Sequence, residues 1–552
     1  MPTPCHGHRY GDGRLPPARR ALLINPRQSA ASLAVSVKSI DETVRIMGCK
    51  SSNPPLGLIT VAALLPADWP VRLIDQALDE ITEDDWEFAE IVMISGYNDQ
   101  GEAQMQLIAE AKRRGKLTVV GGGWASMVPD MVKAAGADFV VVDEAELGLP
   151  IVFEQIEQGI TGGIIRPTGS ADIHNVPVPR FDLVDMSRYA MATLQYSRGC
   201  PFKCEFCDII AKGIGGPSLR AKRPEQFIAE LDALRDSGWR GAVFIADDNF
   251  IGDRKQVRML LPELATWMKR NRFPFTLISE CSINIALDHK LMAQMVDAGV
   301  TRMFVGIESV DHDALETARK RQNMALPTEQ ACRRMAEAGI EVIAGLVLGF
   351  DGETPGAGER LLRMVETAPI AIPDLYFLAA LPRAEMWERL KRENRLRTGL
   401  KLRPTGYTPL NFITLRPQTE ILREGIAFVR HTYRAETLLD RSWRQHRDLA
   451  KAQRQQARAT PADLRSFVHV FWRYGVKRDC RRQFWRALID LLPSGAGLVT
   501  SFLRCLVLGE TYIRALPPTL ADWGEVLAEY EAEEAAQAKN LPEMPKLAVA
   551  AG

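Results

Sequence analysis

The chain is 552 residues long, with 46% hydrophobic and 25% charged side chains, a composition that excludes general disorder, a collagen-like repeat and a bundle of membrane spans. Lys plus Arg and Asp plus Glu each number 69, so the net charge is zero, no global field gathers phosphates, and nucleic acid is not expected as a partner. Nine cysteines, three of them within eight positions, are too few for a disulfide scaffold and point to a metal in a reducing, cytoplasmic compartment.

Residues 1–20 hold Pro, Gly, His and Arg without an apolar run and read as a flexible tail rather than a secretory signal. From Ala21, strands are predicted at Ala21–Asn25, Val71–Asp75, Ile91–Ser95, Leu117–Val120 and Phe139–Val142, with helices at Pro55–Leu65, Glu102–Arg113, Met127–Ala135 and Glu146–Glu157. Five strands with helices between them predict an α/β, doubly wound, Rossmann-like parallel sheet over residues 21–165. Pro167, Pro177 and Pro179 among polar residues make 166–188 a linker. A second alternating series places strands at Ala192–Ser197, Ala242–Ala246, Phe275–Glu280, Arg302–Gly306, Val342–Leu348 and Asp374–Ala379. Six β/α units predict a partial, TIM-like barrel over 189–396 with its functional loops at the C-terminal strand ends. After Leu396 strand signals vanish: 397–528 reads as a helical domain and 529–552 as an acidic, Ala-rich, frayed tail. The apolar stretch Phe484–Leu508 is broken by Arg486, Asp490, Pro493 and Arg504 and is too short to span a bilayer.

The first barrel strand runs into Tyr196-Ser197-Arg198-Gly199-Cys200-Pro201-Phe202-Lys203-Cys204-Glu205-Phe206-Cys207. This spacing puts Cys200, Cys204 and Cys207 on one loop, where three thiolates can converge on a soft metal centre with a fourth position open. A structural zinc site wants a fourth protein ligand, and the next candidates, Cys281 and His289, are remote in sequence. An iron–sulfur cube with one uncapped iron fits better.

With Phe206 before the last thiol, these residues resemble the signature of the radical S-adenosylmethionine (SAM) enzymes. The resemblance implies a [4Fe-4S] cluster whose open iron chelates SAM, an electron donor such as flavodoxin or ferredoxin, and a 5′-deoxyadenosyl radical that takes a hydrogen atom from substrate. Asp247 ends the second barrel strand and Glu280 the third. Gly306-Ile307-Glu308 ends the fourth, resembling the family's pattern beside SAM, so Phe206, Asp247, Glu280 and Glu308 are the expected SAM-site residues. Gly345 and Gly349 flank strand five, where a bare backbone lets adenine approach or a helix pack.

A doubly wound domain ahead of such a barrel resembles the cobalamin-binding subgroup. The resemblance implies a corrin against the C-terminal strand ends, at Ser95, Gly96, Tyr97 and Gln100 after strand three and Gly121, Gly122 and Gly123 after strand four. The chain departs from that pattern in three places. Asn25-Pro26-Arg27-Gln28-Ser29 lacks the cobalt-ligating histidine, Asp143-Glu144-Ala145-Glu146 stands where relatives usually show Gly-Glu-Gly-Glu, and Leu381-Pro382-Arg383-Ala384-Glu385 where they tend to have Pro-Gly-Thr.

Asn53–Leu58, Asp247–Gly252 and Leu410–Ile413 narrow the resemblance to the branch with hopanoid 2-methylases and bacteriochlorophyll side-chain methylases. It implies methyl transfer from methylcobalamin to an unactivated carbon of a large, apolar, lipid- or tetrapyrrole-type substrate. The alternative is a radical cyclase, oxidase or ring-rearranging enzyme with a structural N-terminal sheet. A stripe of Arg441, Arg444, Arg447, Lys451, Arg454 and Arg458 on a helix Arg441–Arg465, followed by Phe467, Phe471, Trp472, Tyr474, Phe484 and Trp485, reads as a solvated basic face, with peripheral contact to the inner membrane face as the second option.

Overall fold

The computed structural model describes residues 19–28, 44, 48–207, 209, 219–397, 402–403, 406–449 and 461–539; most of the expected N-terminal tail, Ser29, residues 450–460 with Lys451, Arg454 and Arg458, and the end of the acidic tail lie outside them. The first sheet has six strands, one more than the apolar runs predict: β1 (Ala21–Asn25), β2 (Val71–Asp75), β3 (Ile91–Ser95), β4 (Leu117–Gly121), β5 (Phe139–Val141) and β6 (Gly163–Ile165). All pair in parallel in the order β2-β1-β3-β4-β5-β6. The added β6 is three residues long, too short to leave a periodic trace in the sequence. Chain direction across the sheet reverses at β1, which places the switch-point crevice at the loops after β1 and β3. The predicted helix Met127–Ala135 is instead Gly122–Met127 and Pro129–Ala134, because Pro129 has no N–H to continue the first helix and opens the second.

The second sheet has β7 (Ala192–Leu194), the short antiparallel pair β8 (Ser197–Arg198) and β9 (Arg220–Ala221) beside it, then β10 (Gly241–Ile245), β11 (Phe275–Cys281), β12 (Val300–Glu308), β13 (Glu341–Leu348) and β14 (Ile372–Phe377). The parallel order β14-β13-β12-β11-β10-β7 is the six-stranded partial barrel that the sequence predicts. Burial alternates residue by residue along β11 and β12. The outward positions are wholly covered by helices, while the inward ones, Ile278, Phe304 and their neighbours, keep part of their surface open. The inner face of the barrel is therefore less completely covered than its outer face.

Helices close the other end. From the helix Ala496–Lys539, Ser501 donates to Glu341 Oε2 at 3.0 Å and Arg504 reaches Thr276 Oγ1 at 3.1 Å, both near the N-terminal ends of barrel strands. Glu341 accepts two bonds of 3.0 Å from Arg302 on the neighbouring strand. The segment from Glu529, expected as a frayed tail, continues this helix, and its Glu531 and Glu533 pair with Arg423 and Arg397. The helix Ala496–Ala536 is long and apolar enough to cross a membrane by length and composition alone, and 61% of its most apolar stretch is buried in the protein. The expected basic stripe is also different: the helix is Ala435–Leu449, and Arg441 is fully buried with its guanidinium on the Thr432 carbonyl at 2.8 Å.

Glu341→Ala leaves the Arg302 guanidinium buried without its carboxylate. This substitution should cost about 3–5 kcal/mol in urea unfolding, and adding Arg302→Leu should restore most of it.

Candidate active site

The cysteine loop leaves the barrel where β7 stops short of its predicted end. Asp247, at the tip of β10, accepts the amides of Tyr196 at 2.7 Å and Ser197 at 2.9 Å and the Ser197 hydroxyl at 2.5 Å. These amides are thereby taken out of the sheet ladder, and the chain turns away. Burial pushes the Asp247 carboxyl up to about 6 against the pull of those donors. The residue expected to face SAM is thus committed to shaping the loop.

Gly199 then adopts φ 94°, a left-handed turn that favours glycine, and its amide bonds Asp248 at 2.8 Å. At the far end Glu205 takes Arg389 in a two-pronged pair of 2.7 and 3.0 Å, while its amide and carbonyl bond Ala318 and Met386. The thiols lie between these anchors. Asn249 Nδ2 stands 3.8 Å from Cys200 Sγ and Gln322 Nε2 3.5 Å from Cys204 Sγ. The Lys320 ammonium feels the charge of both Cys204 and Cys207.

Among the described residues no three His, Cys, Asp or Glu groups converge closely enough to hold a single metal ion. A mononuclear site needs its thiolates about 2.3 Å from one point. An iron–sulfur cluster takes each thiolate at a different iron. Three loop thiols with amide N–H donors turned toward two of them suit the cluster and not the single ion.

Of the other expected SAM-site residues, Phe206 packs edge-on against Phe350 with centroids 5.2 Å apart, and Lys320 Nζ lies 5.8 Å from its ring. Glu308 ends β12 at φ 63°, beyond a register shift, and pairs with Lys320 at 2.5 Å. Asn323 supports this bend by donating to the Gly306 and Ile307 carbonyls at 2.9 Å. Glu280 follows Ile278 on the inner face of β11. The structure therefore brings the thiols, Phe206 and Glu308 together through Lys320, which sequence reasoning missed with Asn249, Gln322 and Asn323. The polar run Lys320–Asn323 after a helix was the trace of three of them, and Asn249 lay inside the Asp247–Gly252 segment. Gly345 packs under the Phe304 ring, 2.8 Å from where a Cβ would stand, which favours packing over adenine approach as its reason.

On the first sheet, Gly122 has φ 89°, and a Cβ there would meet Ser95 Oγ at 2.4 Å, so the glycine run permits close contact with the loop after β3. Tyr97 is exposed and Gly96 and Gly121 flank the same crevice. Gln100 is turned inward, donating to Pro26 O at 2.5 Å and Asn25 Oδ1 at 3.2 Å, and Gln28 bonds Asp99 at 2.7 Å. The loop that lacks histidine is thus tied to its neighbour across the switch point.

The acidic turn after β5 joins the two domains. Glu144 is buried and bonds Arg198 at 2.9 Å, Arg220 at 3.0 Å and the Ala171 amide at 2.7 Å, and Glu146 takes the second arm of Arg198 at 2.7 Å. The arginines hold the Glu144 carboxyl below the usual carboxylate range despite its burial, the largest opposing effect. Arg198 lies two residues before Cys200. Asp143 pairs with Arg383 at 3.0 Å, and Arg383 also donates to Ser126 O at 2.6 Å. These two residues stand at φ 69° and 71°, so two departures from the glycine pattern meet each other across the domain boundary.

The Radical SAM superfamily profile matches residues 194–365, and the domain of unknown function DUF4070 matches 384–517. An uncharacterized methyltransferase of Synechocystis is 39% identical over 93% of this chain and 94% of its own length. The hopanoid C-2 methylase of Rhodopseudomonas palustris is 32% identical over 87% and 90%. Bacteriochlorophyllide d C-8(2)-methyltransferase of Chlorobaculum tepidum is 23% identical over 61% and 75%. Among solved structures, the cobalamin-dependent SAM radical enzyme OxsB superposes with TM-score 0.58 at 14% identity, covering 96% of this chain and 82% of that one. The radical SAM methyltransferase TsrM of Kitasatospora setae gives 0.53 at 17%, covering 72% and 81%. Both show a shared fold.

Asp143→Gly and Arg383→Gly each remove one half-exposed ion pair and one left-handed strain of about 1 kcal/mol. Each should change the free energy of chemical unfolding by less than about 1 kcal/mol, whereas Glu144→Ala, which removes the buried carboxylate shared by Arg198 and Arg220, should cost about 3 kcal/mol.

Proposed function

The chain belongs to the radical SAM superfamily, in the group that holds the hopanoid C-2 methylase of Rhodopseudomonas palustris, and on that premise we propose a cobalamin-dependent C-methyltransferase acting on an unactivated carbon of a large, apolar, lipid- or tetrapyrrole-type molecule. The observation that carries the substrate class is the barrel's inner face. Phe244, Ile278, Phe304 and Ile343 point inward with part of their surface uncovered, and Tyr376 on β14 is 44% exposed although it sits within the barrel wall. This inner face sets partly uncovered apolar side chains beside Glu280 and the Tyr376 hydroxyl, a mixed lining that suits a bulky ring system or hydrocarbon with polar groups at its edge.

Cys200, Cys204 and Cys207 would hold the [4Fe-4S] cluster. Phe206, Glu280 and Glu308 border the place for SAM, and Ser95, Gly96, Tyr97, Gly121, Gly122 and Gly123 the place for the corrin. When bound, the cluster and SAM supply a hydrogen-abstracting organic radical and the corrin a transferable methyl group. The protein's own groups set the stage for this. Asp247 and Glu205 fix the two ends of the thiol loop. Asn249 and Gln322 offer N–H donors to sulfur, and Lys320 offsets negative charge beside Cys204 and Cys207 while orienting Glu308. Glu144 and Arg198 couple the first sheet to that loop, so a ligand on the sheet and a centre on the barrel keep a fixed relation. A flavodoxin or ferredoxin in the cytoplasm is the expected electron source.

A second reading, a radical enzyme that does not methylate, draws on the tied switch-point loops, where Gln28, Asp99, Gln100 and Asn25 bond one another instead of leaving a histidine toward cobalt. Cobalt content separates the readings: active enzyme reconstituted without corrin would exclude methyl transfer from cobalamin. The methylase reading expects one 5′-deoxyadenosine and one S-adenosylhomocysteine per methylated product, assayed with methyl-labelled SAM and lipid or pigment extract. Cys204→Ala should abolish iron loading, measured by absorbance and iron analysis, together with SAM cleavage.

A further inference from the structure

Sixteen large hydrophobic side chains are exposed among the described residues, and seven of them fall between positions 464 and 492. They are not scattered there. Leu464, Val468, Trp472 and Val476 repeat every fourth residue along the helix Pro461–Trp472 and the wider turn Arg473–Lys477 that continues it, with Leu464 at 66% and Val468 at 68% exposure. Trp485 and Ile489 form the matching stripe on the helix Arg481–Leu491. The two stripes are joined, because Trp485 donates its indole N–H to Gly475 O at 2.9 Å and its ring lies 5.9 Å from that of Phe471. The opposite faces of these helices do the ordinary work of a core: Phe467, Val470, Tyr474, Phe484 and Leu488 are buried together. A contiguous apolar strip of this length on an otherwise charged surface marks an interaction site.

Most of the charges around it are basic. Arg482 and Arg486 share a face of about 100° with Trp485 and Ile489 by helical geometry, and neither has a carboxylate partner among the described residues. Lys477 lies 5.7 Å over the Trp472 ring, and Arg481 is exposed beside it with Asp479 at 3.8 Å. Asp463 is occupied by Arg504, and Asp490 accepts from the Trp443 indole, so the acidic groups of these helices have partners of their own. A two-fold dimer through this face would set arginine against arginine, since an isologous interface meets itself. An anionic lipid surface meets both features at once: aliphatic chains enter the acyl boundary, the tryptophans sit at headgroup level, and the arginines and lysine reach phosphate.

We propose that the face formed by the helices Pro461–Trp472 and Arg481–Leu491 docks the enzyme on a bilayer carrying anionic phospholipid. This goes beyond the catalytic reading and does not depend on it. It also assigns a task to part of the segment matched only as a domain of unknown function.

The test is flotation of the full-length protein with vesicles of phosphatidylcholine alone or mixed with phosphatidylglycerol. The wild type should float with the mixed vesicles and bind the neutral ones several-fold less. The pair Val468→Asp/Ile489→Asp, at positions open enough to leave the melting temperature unchanged, should lower partition roughly tenfold or more. Arg482→Glu/Arg486→Glu keeps the apolar strip and should lose the preference for the anionic lipid. The proposal is overturned if the wild type stays at the bottom of the gradient with mixed vesicles. It is equally overturned if the aspartate pair converts a dimer to a monomer in sedimentation without altering flotation. SAM cleavage by the aspartate pair should match wild type, so a failure here is distinct from a failure of the catalytic reading.

Discussion

The loop that carries the three thiols leaves the barrel between two buried carboxylates, and its position depends on both. Asp247 lies beneath it and takes the backbone amides that would have lengthened β7, so the chain is forced out of the sheet just before Gly199. Glu144 reaches across from the other domain and holds Arg198, the side chain next to that glycine. Backbone donors and guanidinium groups of this kind are costly to leave unpaired once water is gone. Each carboxylate therefore does more than satisfy a neighbour: it defines where the loop begins and how the first sheet faces it.

The same junction explains why the chain can tolerate Asp143 and Arg383 in left-handed backbone, where glycine is easier. The two residues stand opposite one another on different domains, and their attraction offsets part of the strain each one carries. Arg383 also bonds the carbonyl of Ser126, on the helix that follows the glycine run, so the contact reaches the crevice where the sheet would receive a ligand. The domain boundary here is a set of specific charged contacts rather than a broad greasy surface.

Packing in the barrel follows a division of labour between its ends. The N-terminal end is closed by Arg302, Glu341, Ser501, Arg504 and Thr276, a polar layer in which each buried charge has a partner. The C-terminal end carries the thiols, Lys320, Glu308 and their supporting amides. Between them the inward side chains stay partly uncovered, which a fully closed eight-stranded barrel would not allow at this strand spacing.

Alternating apolar runs in the sequence settled the order and number of barrel strands, and all but one of the strands of the first sheet, because hydrophobic periodicity is a local property that burial rewards wherever the element ends up. The thiol spacing likewise announced its loop. Pairing across long separations was not legible: Asp247 gave no sign that the amides of Tyr196 and Ser197 would lie on it, and Lys320 gave no hint of its pairing with Glu308 or of its place over the Phe206 ring. Nor could composition say which of the C-terminal aromatics were core and which were surface, since Phe484 and Trp485 are adjacent in sequence yet one is buried and the other exposed. Which face of a helix is covered, and which carboxylate meets which arginine, depends on neighbours brought in from far along the chain, and only the tertiary structure supplies those.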